Sequence, residues 1–252
     1  MTEDNKKKIT ENLIPTFNEA GDISLKLRKQ GLKKKIKKDN TPVTNGDIEV
    51  NNLITEKIKK ITPEIPIISE ESSINKSNKN LKSFWLIDPI DGTHDYINDR
   101  DEFTINACLI INNRPEIGII FAPAKQRLFY SYHDGMSFEI SDNKEKKLDC
   151  KKTTKKGEVK ALSYSNLLKP QIEDWHKKFN VTKHVKMKSS LKFCVIASGE
   201  YDLYIAEPRA CEWDIAAGHA IVKHAGGLIT DFENNEILYG KKDFKNPSLI
   251  LK

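Results

Sequence analysis

The sequence predicts a chain of two styles, an α+β first half with an antiparallel sheet and an α/β second half. Three observations predict it. Two amphipathic helix patterns open the chain. Strand patterns between residues 102 and 132 follow one another with only short turns between them, which is the signature of a meander. Beyond residue 158, strand and helix patterns alternate. At 252 residues the chain is long enough to bury a substantial core as one large unit or two smaller ones. The lysine-rich, weakly apolar connection over 141–158 places the boundary, giving an N-terminal half 1–140 and a C-terminal half 141–252.

Taken in order, residues 8–29 read as a helix, with Ile9, Leu13, Phe17 and Ala20 on one stripe, broken by Gly31 and a lysine run. Residues 39–47 are a turn into a second helix, whose face is Val50, Leu53, Ile54, Ile58 and Ile61 and whose end is Pro63. Thr44 and Asp47 have the spacing of a capping box, so spacing alone makes Asp47 a helix cap. A short strand, 65–68, runs into Ser69-Glu70-Glu71, and 72–82 is a Ser/Asn/Lys-rich loop. The apolar run Phe84 to Ile87 is a buried strand that Pro89 is expected to end, because proline cannot donate to a ladder. Strands are expected over 102–111, 116–121, 127–132, 159–164 and 203–206, with a helix near 170–179. Small residues then dominate a last helix from Cys211 to Val222, stopped by Gly226-Gly227.

Composition narrows the function classes. Hydrophobic residues make up 38% and charged residues 31%, as in a soluble globular protein, and no apolar stretch is long enough to cross a bilayer. The polar start, Met1 to Lys8, has no signal-peptide core behind it, so a cytoplasmic protein is expected, with peripheral contact at the inner membrane face left open. The four cysteines show neither a C-x-x-C nor a zinc spacing and read as reduced and structural. The net charge of +6 comes from lysines travelling with Asn and Ile, a compositional bias that needs no nucleic-acid partner. Surplus positive charge also steers anionic small molecules.

The chemistry-bearing stretch is Trp85-Leu86-Ile87-Asp88-Pro89-Ile90-Asp91-Gly92-Thr93. Two aspartates three apart at a strand end repel each other, and a hard, oxygen-seeking cation such as Mg²⁺ relieves them; a solvated turn is the plain alternative. A second strand ends in Glu70 and Glu71, and Asp214 opens the last helix, as an N-cap or as a further carboxylate aimed at the same point. His219 and His224 lie inside that helix pattern as packing or surface residues.

Ser69-Glu70-Glu71, the Asp-Pro-Ile-Asp-Gly-Thr of residues 88–93 and Trp213-Asp214-Ile215-Ala216-Ala217-Gly218 together resemble the inositol monophosphatase superfamily of lithium-sensitive, Mg²⁺-dependent phosphatases. The resemblance implies a layered αβαβα sandwich of the sugar-phosphatase type. It also implies that Glu70, Asp88, Asp91, Asp214 and the Ile90 carbonyl hold two or three Mg²⁺ ions. Asp47 and Thr93 match the pair that polarises the attacking water, Glu71 a second acid beside it, and Gly92 and Thr93 a phosphate-holding turn. Within the superfamily, residues 39–44, 102–106, 121–123 and above all Ser189-Ser190-Leu191-Lys192-Phe193-Cys194 are most similar to the 3'(2'),5'-bisphosphate nucleotidases of the CysQ type. That likeness implies that Ser189 and Lys192 hold the phosphate that is not cleaved, with Asp214 also facing substrate. The chain departs from the type where Tyr204-Ile205-Ala206-Glu207-Pro208-Arg209 stands in place of a Tyr-Pro-Arg, so Arg209 offers its guanidinium from a shifted position.

The expected activity is Mg²⁺-dependent removal of the 3'-phosphate from 3'-phosphoadenosine 5'-phosphate, and from its sulfated form, by a monomer or homodimer serving sulfate assimilation. An inositol monophosphatase or a sugar bisphosphatase is the alternative within the superfamily. A non-catalytic nucleotide- or RNA-binding protein on the same fold is the distant one; the complete acid set argues against it.

Overall fold

The computed structural model describes residues 1–37, 40–72, 76, 81–150 and 157–252. Asp39 of the expected turn, residues 73–75 and 77–80 of the expected loop and residues 151–156 of the expected connection lie outside that set. Helix α1 (Glu3–Gln30) starts earlier than its apolar stripe because the Thr2 side chain accepts the Asn5 N–H, with Glu3 and Asp4 favouring the first turn. A small hairpin, β1 (Lys34–Ile36) and β2 (Pro42–Thr44), precedes α2 (Asn45–Ile61). Thr44 caps α2 in the expected capping box, its own N–H and hydroxyl donating to Asp47.

The next strands are β3 (Ile67–Ser69) and β4 (Phe84–Asp91), then helix α3 (Thr93–Ile97) and strands β5 (Thr104–Ile111), β6 (Arg114–Ala122), β7 (Arg127–His133), β8 (Met136–Ser141) and β9 (Lys144–Lys147). They form one seven-stranded sheet in chain order, antiparallel throughout except for the parallel β3–β4 pair. The expected meander is therefore present, with two further strands. β9 escapes a sequence reading because all four of its residues are charged and exposed, as suits a sheet edge protected against pairing with another chain.

The second sheet contains β10 (Val159–Ser163), β11 (Val181–Lys186), β12 (Leu203–Ala206), β13 (Ile229–Thr230) and β14 (Leu249–Leu251), in the order β11-β10-β12-β14-β13. Helices α4 (Pro170–Lys178), α5 (Leu191–Ala197) and α6 (Glu212–His224), with a single 3-10 turn at Pro123–Lys125, are the remaining described elements. Strand alternation sorts the layers. Trp85 and Ile87 face α1 and α2, packing with Leu13, Phe17, Val50 and Ile54, whereas Phe84 and Leu86 face α5 and α6. The far side of α5 and α6 meets Tyr204, Leu249 and Leu251 of the second sheet, whose other face packs on Ile172 and Trp175 of α4. The result is the αβαβα sandwich implied by the family resemblance, with α5 and α6 as its middle layer.

That middle layer is tight. A Cβ on Gly118 of β6 would lie 2.4 Å from the Ala217 carbonyl oxygen of α6, so the strand and the helix backbone touch only because this position is glycine. All four cysteines are unpaired, and Cys108 and Cys194 are buried in apolar surroundings, as expected. No helix among the described residues is long and apolar enough to cross a membrane.

His219 and His224 of α6 are both buried, so packing is their role and surface placement is not. His219 Nδ1 lies 2.9 Å from the Tyr239 hydroxyl, and His224 Nε2 lies 3.6 Å from Asp134. Burial, and then the Lys223 charge, pull both pKa values down to about 3 from an ordinary 6.5. A histidine depressed in the folded state contributes stability above pH 6.5 that is lost as pH falls toward about 3. The melting temperature of His219→Gln minus that of the wild type is therefore expected to rise between pH 7 and pH 4, as read by circular dichroism melts of both proteins across pH.

Candidate active site

The site begins with a defect in β4. Asp88 pairs with Asn106 and Asp91 with Thr104, so three steps along β4 match two along β5, and Pro89 and Ile90 together oppose Ile105. Pro89 does not end the strand as the sequence suggested. It sits in the bulge, where the ladder does not require its missing N–H. Residues three apart on a regular strand face opposite sides; the bulge turns Asp88 and Asp91 to the same side, toward the sandwich middle.

Three segments distant in sequence meet there. Glu70 follows β3, Asp88 lies on β4, and Asp214 is the third residue of α6. One carboxylate oxygen from each lies within 4.8 Å of the others. Asp214 is not the N-cap of its helix; Cys211 is, and its N–H donates to Asp214 Oδ2 at 2.7 Å, which aims the remaining oxygen. Asp91 Oδ2 is buried and finds no hydrogen-bond partner among the described residues. The Ile90 carbonyl oxygen lies 3.0 Å from Thr93 Oγ1, an alternative acceptor for its hydroxyl proton.

Electrostatics set the problem this cluster must solve. Two unit charges at that separation repel by about 3 kcal/mol at an effective dielectric near 20. Burial first, then Glu70, Asp91 and Asp214, push Asp88 well above the carboxylate range. Burial, Asp91 and Glu70 push Asp214 up to about 8. Asp91 is also raised by burial, although Lys192 and Ser190 oppose the shift. An orphaned buried oxygen beside three converging oxygen donors fits a hard divalent cation, which would favour the charged forms of Asp88, Asp91 and Asp214.

Beside the cluster, Thr93 Oγ1 lies 3.2 Å from Asp47 Oδ1, while Asp47 Oδ2 holds the Thr44 N–H at 2.8 Å and the Thr44 hydroxyl at 2.5 Å. Asp47 is thus both helix cap and partner of Thr93; the two roles use different oxygens. Its pKa is raised by burial, with the Thr44 bonds pulling the other way. Lys37 reaches in from beyond β1, with its Nζ 2.9 Å from both Glu70 Oε1 and Glu71 Oε1. Burial alone would lower its pKa, but the two glutamates raise it, so Lys37 stays an ammonium. Gly92, at φ +94, makes the turn; a Cβ there would lie 2.8 Å from the Glu102 carbonyl oxygen.

A cleft of about 510 Å³ opens from these acids, bordered by Gly92, Thr93, His94, Tyr164, Ser189 and Arg209. That is the size of a small-molecule site. A smaller recess joins Asp91 and Asp214 to Ser189, Lys192, Tyr204, Glu207 and Arg209. Ser189 is buried and Lys192 is 9% exposed, its Nζ donating to the Ser189 carbonyl and sitting 5.3 Å from the Tyr204 ring centre, so an ordinary solvated lysine it is not. Arg209 is exposed at the recess mouth, its guanidinium carbon 3.2 Å from the Tyr164 ring centre. The sequence reading gave no role to Ser190, whose hydroxyl is 2.7 Å from both Asn106 Oδ1 and Thr104 Oγ1 and whose N–H and hydroxyl also favour the charged form of Asp91. Its only sequence signal was adjacency to Ser189. Glu212 was missed too: fully buried, it accepts the Gly240 and Lys241 N–H groups at 2.8 and 3.0 Å and so fixes the start of α6.

The inositol monophosphatase family model matches residues 5–251. A 3'(2'),5'-bisphosphate nucleotidase CysQ from Buchnera aphidicola is 34% identical over 236 residues, covering 92% of this chain and 88% of that protein. Its counterpart from Escherichia coli strain K12 is 30% identical over 213 residues, covering 84% and 85%. Among solved structures, CysQ from Bacteroides thetaiotaomicron, a bacterial member of the inositol monophosphatase family, superposes with a TM-score of 0.77 at 27% identity, covering 99% of this chain and 97% of that one.

Replacing one crowded acid by its neutral isostere separates stability from activity. Asp88→Asn keeps an oxygen for the Ile90 N–H, which Asp88 Oδ1 accepts at 3.1 Å, while removing an acid that folding forces away from its charged form. Differential scanning fluorimetry in chelator should show the variant melting about 2–4 °C higher than wild type, and phosphatase assays with Mg²⁺ should show activity reduced at least about a hundredfold.

Proposed function

The chain belongs to the inositol monophosphatase family, and from that premise we propose that it is a Mg²⁺-dependent 3'(2'),5'-bisphosphate nucleotidase, releasing the 3'-phosphate of 3'-phosphoadenosine 5'-phosphate. The observation that carries the chemistry is the convergence of Glu70, Asp88 and Asp214 oxygens within 4.8 Å of one another, next to the Thr93–Asp47 pair. The substrate class rests on the similarity to CysQ nucleotidases and on the buried Ser189-to-Lys192 turn that lines the recess. The 3'-phosphoadenylyl sulfate form is a second substrate in this reading. The half over 1–140 supplies most ligands, and the half over 141–252 supplies Asp214 and the substrate contacts.

Glu70, Asp88, Asp91, Asp214 and the Ile90 carbonyl would hold two or three Mg²⁺ ions. Bound there, the ions supply Lewis acidity toward the phosphoryl oxygens and lower the pKa of a bound water. The remaining work falls to this chain's own groups. The Thr93 hydroxyl can donate its single proton to Asp47 Oδ1 and accept one from the attacking water, and Asp47, steadied by Thr44, takes up the positive charge that builds along that path. Glu71, nearly buried and paired with Lys37, holds a second acceptor at the same edge. Gly92 and Thr93 shape the turn that faces the scissile phosphate. Lys192 serves the phosphate that stays; burial lowers its pKa in the free protein, Asp91 opposes that shift, and an anionic phosphate beside it favours the ammonium further.

Phosphate release with Mg²⁺ from 3'-phosphoadenosine 5'-phosphate, inositol 1-phosphate and fructose 1,6-bisphosphate tests the reading. The nucleotide should have the highest kcat/KM; a higher value for inositol or fructose phosphate would reassign the substrate and leave the acid cluster's role intact. Asp91→Asn should abolish release from all three, and lithium at millimolar levels should inhibit the wild type.

A further inference from the structure

Lys188 lines the same cleft as the acid cluster, together with Thr93, His94, Tyr164 and Arg209. Its Nζ lies 3.3 Å from Asp95 Oδ1 and 3.2 Å from Asp95 Oδ2, and its backbone N–H donates to Glu102 Oε2 at 3.2 Å. Asp95 is buried, with 3% of its side chain exposed, and follows Thr93 by two residues on α3. Lys188 immediately precedes Ser189. The ion pair thus joins the turn that carries Asp91 and Thr93 to the turn that carries Ser189 and Lys192.

A buried carboxylate normally keeps its only cation, because losing it strands a charge away from water. Asp95 is not in that position. Arg100 Nη1 donates to Asp95 Oδ1 at 3.1 Å, and His94 Nδ1 lies 3.8 Å from the same oxygen. An incoming anion can therefore take Lys188 while Arg100 keeps Asp95 neutralised. The lysine side chain suits an exchange of partners, being a compact charge with rotatable donors on a flexible stem. About a fifth of it is exposed in the cleft.

We infer that Lys188 is an exchangeable cation that determines specificity for substrates carrying a second phosphate, resting on Asp95 in the free protein and turning to the non-scissile phosphate when a bisphosphate binds. This rests on the bisphosphate reading of the cleft and adds to Ser189, Lys192 and Arg209 a residue that releases a protein partner to do so.

The test compares Lys188→Met and Lys188→Arg with the wild type on 3'-phosphoadenosine 5'-phosphate and on adenosine 3'-monophosphate, all with saturating Mg²⁺. Lys188→Met should raise KM for the bisphosphate about tenfold with little change in kcat, leave the monophosphate nearly unchanged, and be rescued in large part by Lys188→Arg. Binding of AMP without turnover, read by calorimetry, should weaken in Lys188→Met by a similar factor, while adenosine binding stays the same. Equal losses on both substrates, or a fall in kcat at constant KM, would make the ion pair a scaffold of the two turns and overturn the inference. An unchanged bisphosphate KM would overturn it as well. A wild type that prefers sugar phosphates refutes the nucleotide reading instead; the same variants compared on fructose 1,6-bisphosphate and fructose 6-phosphate then decide the role of Lys188.

Discussion

Like-charge repulsion inside a water-poor corner is the constraint on which this molecule turns. Glu70, Asp88, Asp91 and Asp214 are held together by a fold whose rigidity comes from elsewhere, because no one of them gains from the others' company. The apolar clusters on both faces of the seven-stranded sheet supply that rigidity, and the acid cluster draws on it. Lys37 relieves one side by bridging Glu70 and Glu71, and Lys192 another by facing Asp91.

The middle helical layer explains how acids from distant segments arrive at one point. α6 lies between the sheets, close enough to β6 that Gly118 can carry no side chain, and its first turn is anchored by Glu212 before Asp214 is presented. Its N-cap N–H fixes one oxygen of Asp214. The same helix therefore contributes apolar bulk in its later turns and a positioned carboxylate in its first. Packing and chemistry are divided along its length, so they do not compete for the same residues.

Much of this was legible in the sequence, for identifiable reasons. The apolar stripes of α1 and α2 and the meander gave themselves away by period, and the acidic strand ends by the sheer cost of placing acids there. Residues 136–147 and 181–186 were harder: their strands are edge or near-edge elements, with alternation too polar to stand out. Pro89 misled because a proline rule that holds for a regular ladder does not hold in a bulge. Asp47 was assigned by spacing to a helix cap alone, since spacing cannot show that its second oxygen meets a threonine 46 residues away. Ser190, Glu212 and the partnership of Lys188 with Asp95 were invisible for the same reason, being contacts between segments far apart in the chain.

The bulge at Pro89 and Ile90 also has a bearing on heredity. By passing over one residue it leaves the Ile90 carbonyl outside the strand pairing, where the Thr93 hydroxyl can bond it. That oxygen belongs to the main chain. No codon change that swaps one side chain for another can delete it, whereas every carboxylate around it is one substitution away from loss. The part of the corner that mutation can reach least directly is therefore guarded by strand length and phase, and a one-residue deletion in β4 threatens it more than any replacement of the isoleucine by another apolar residue.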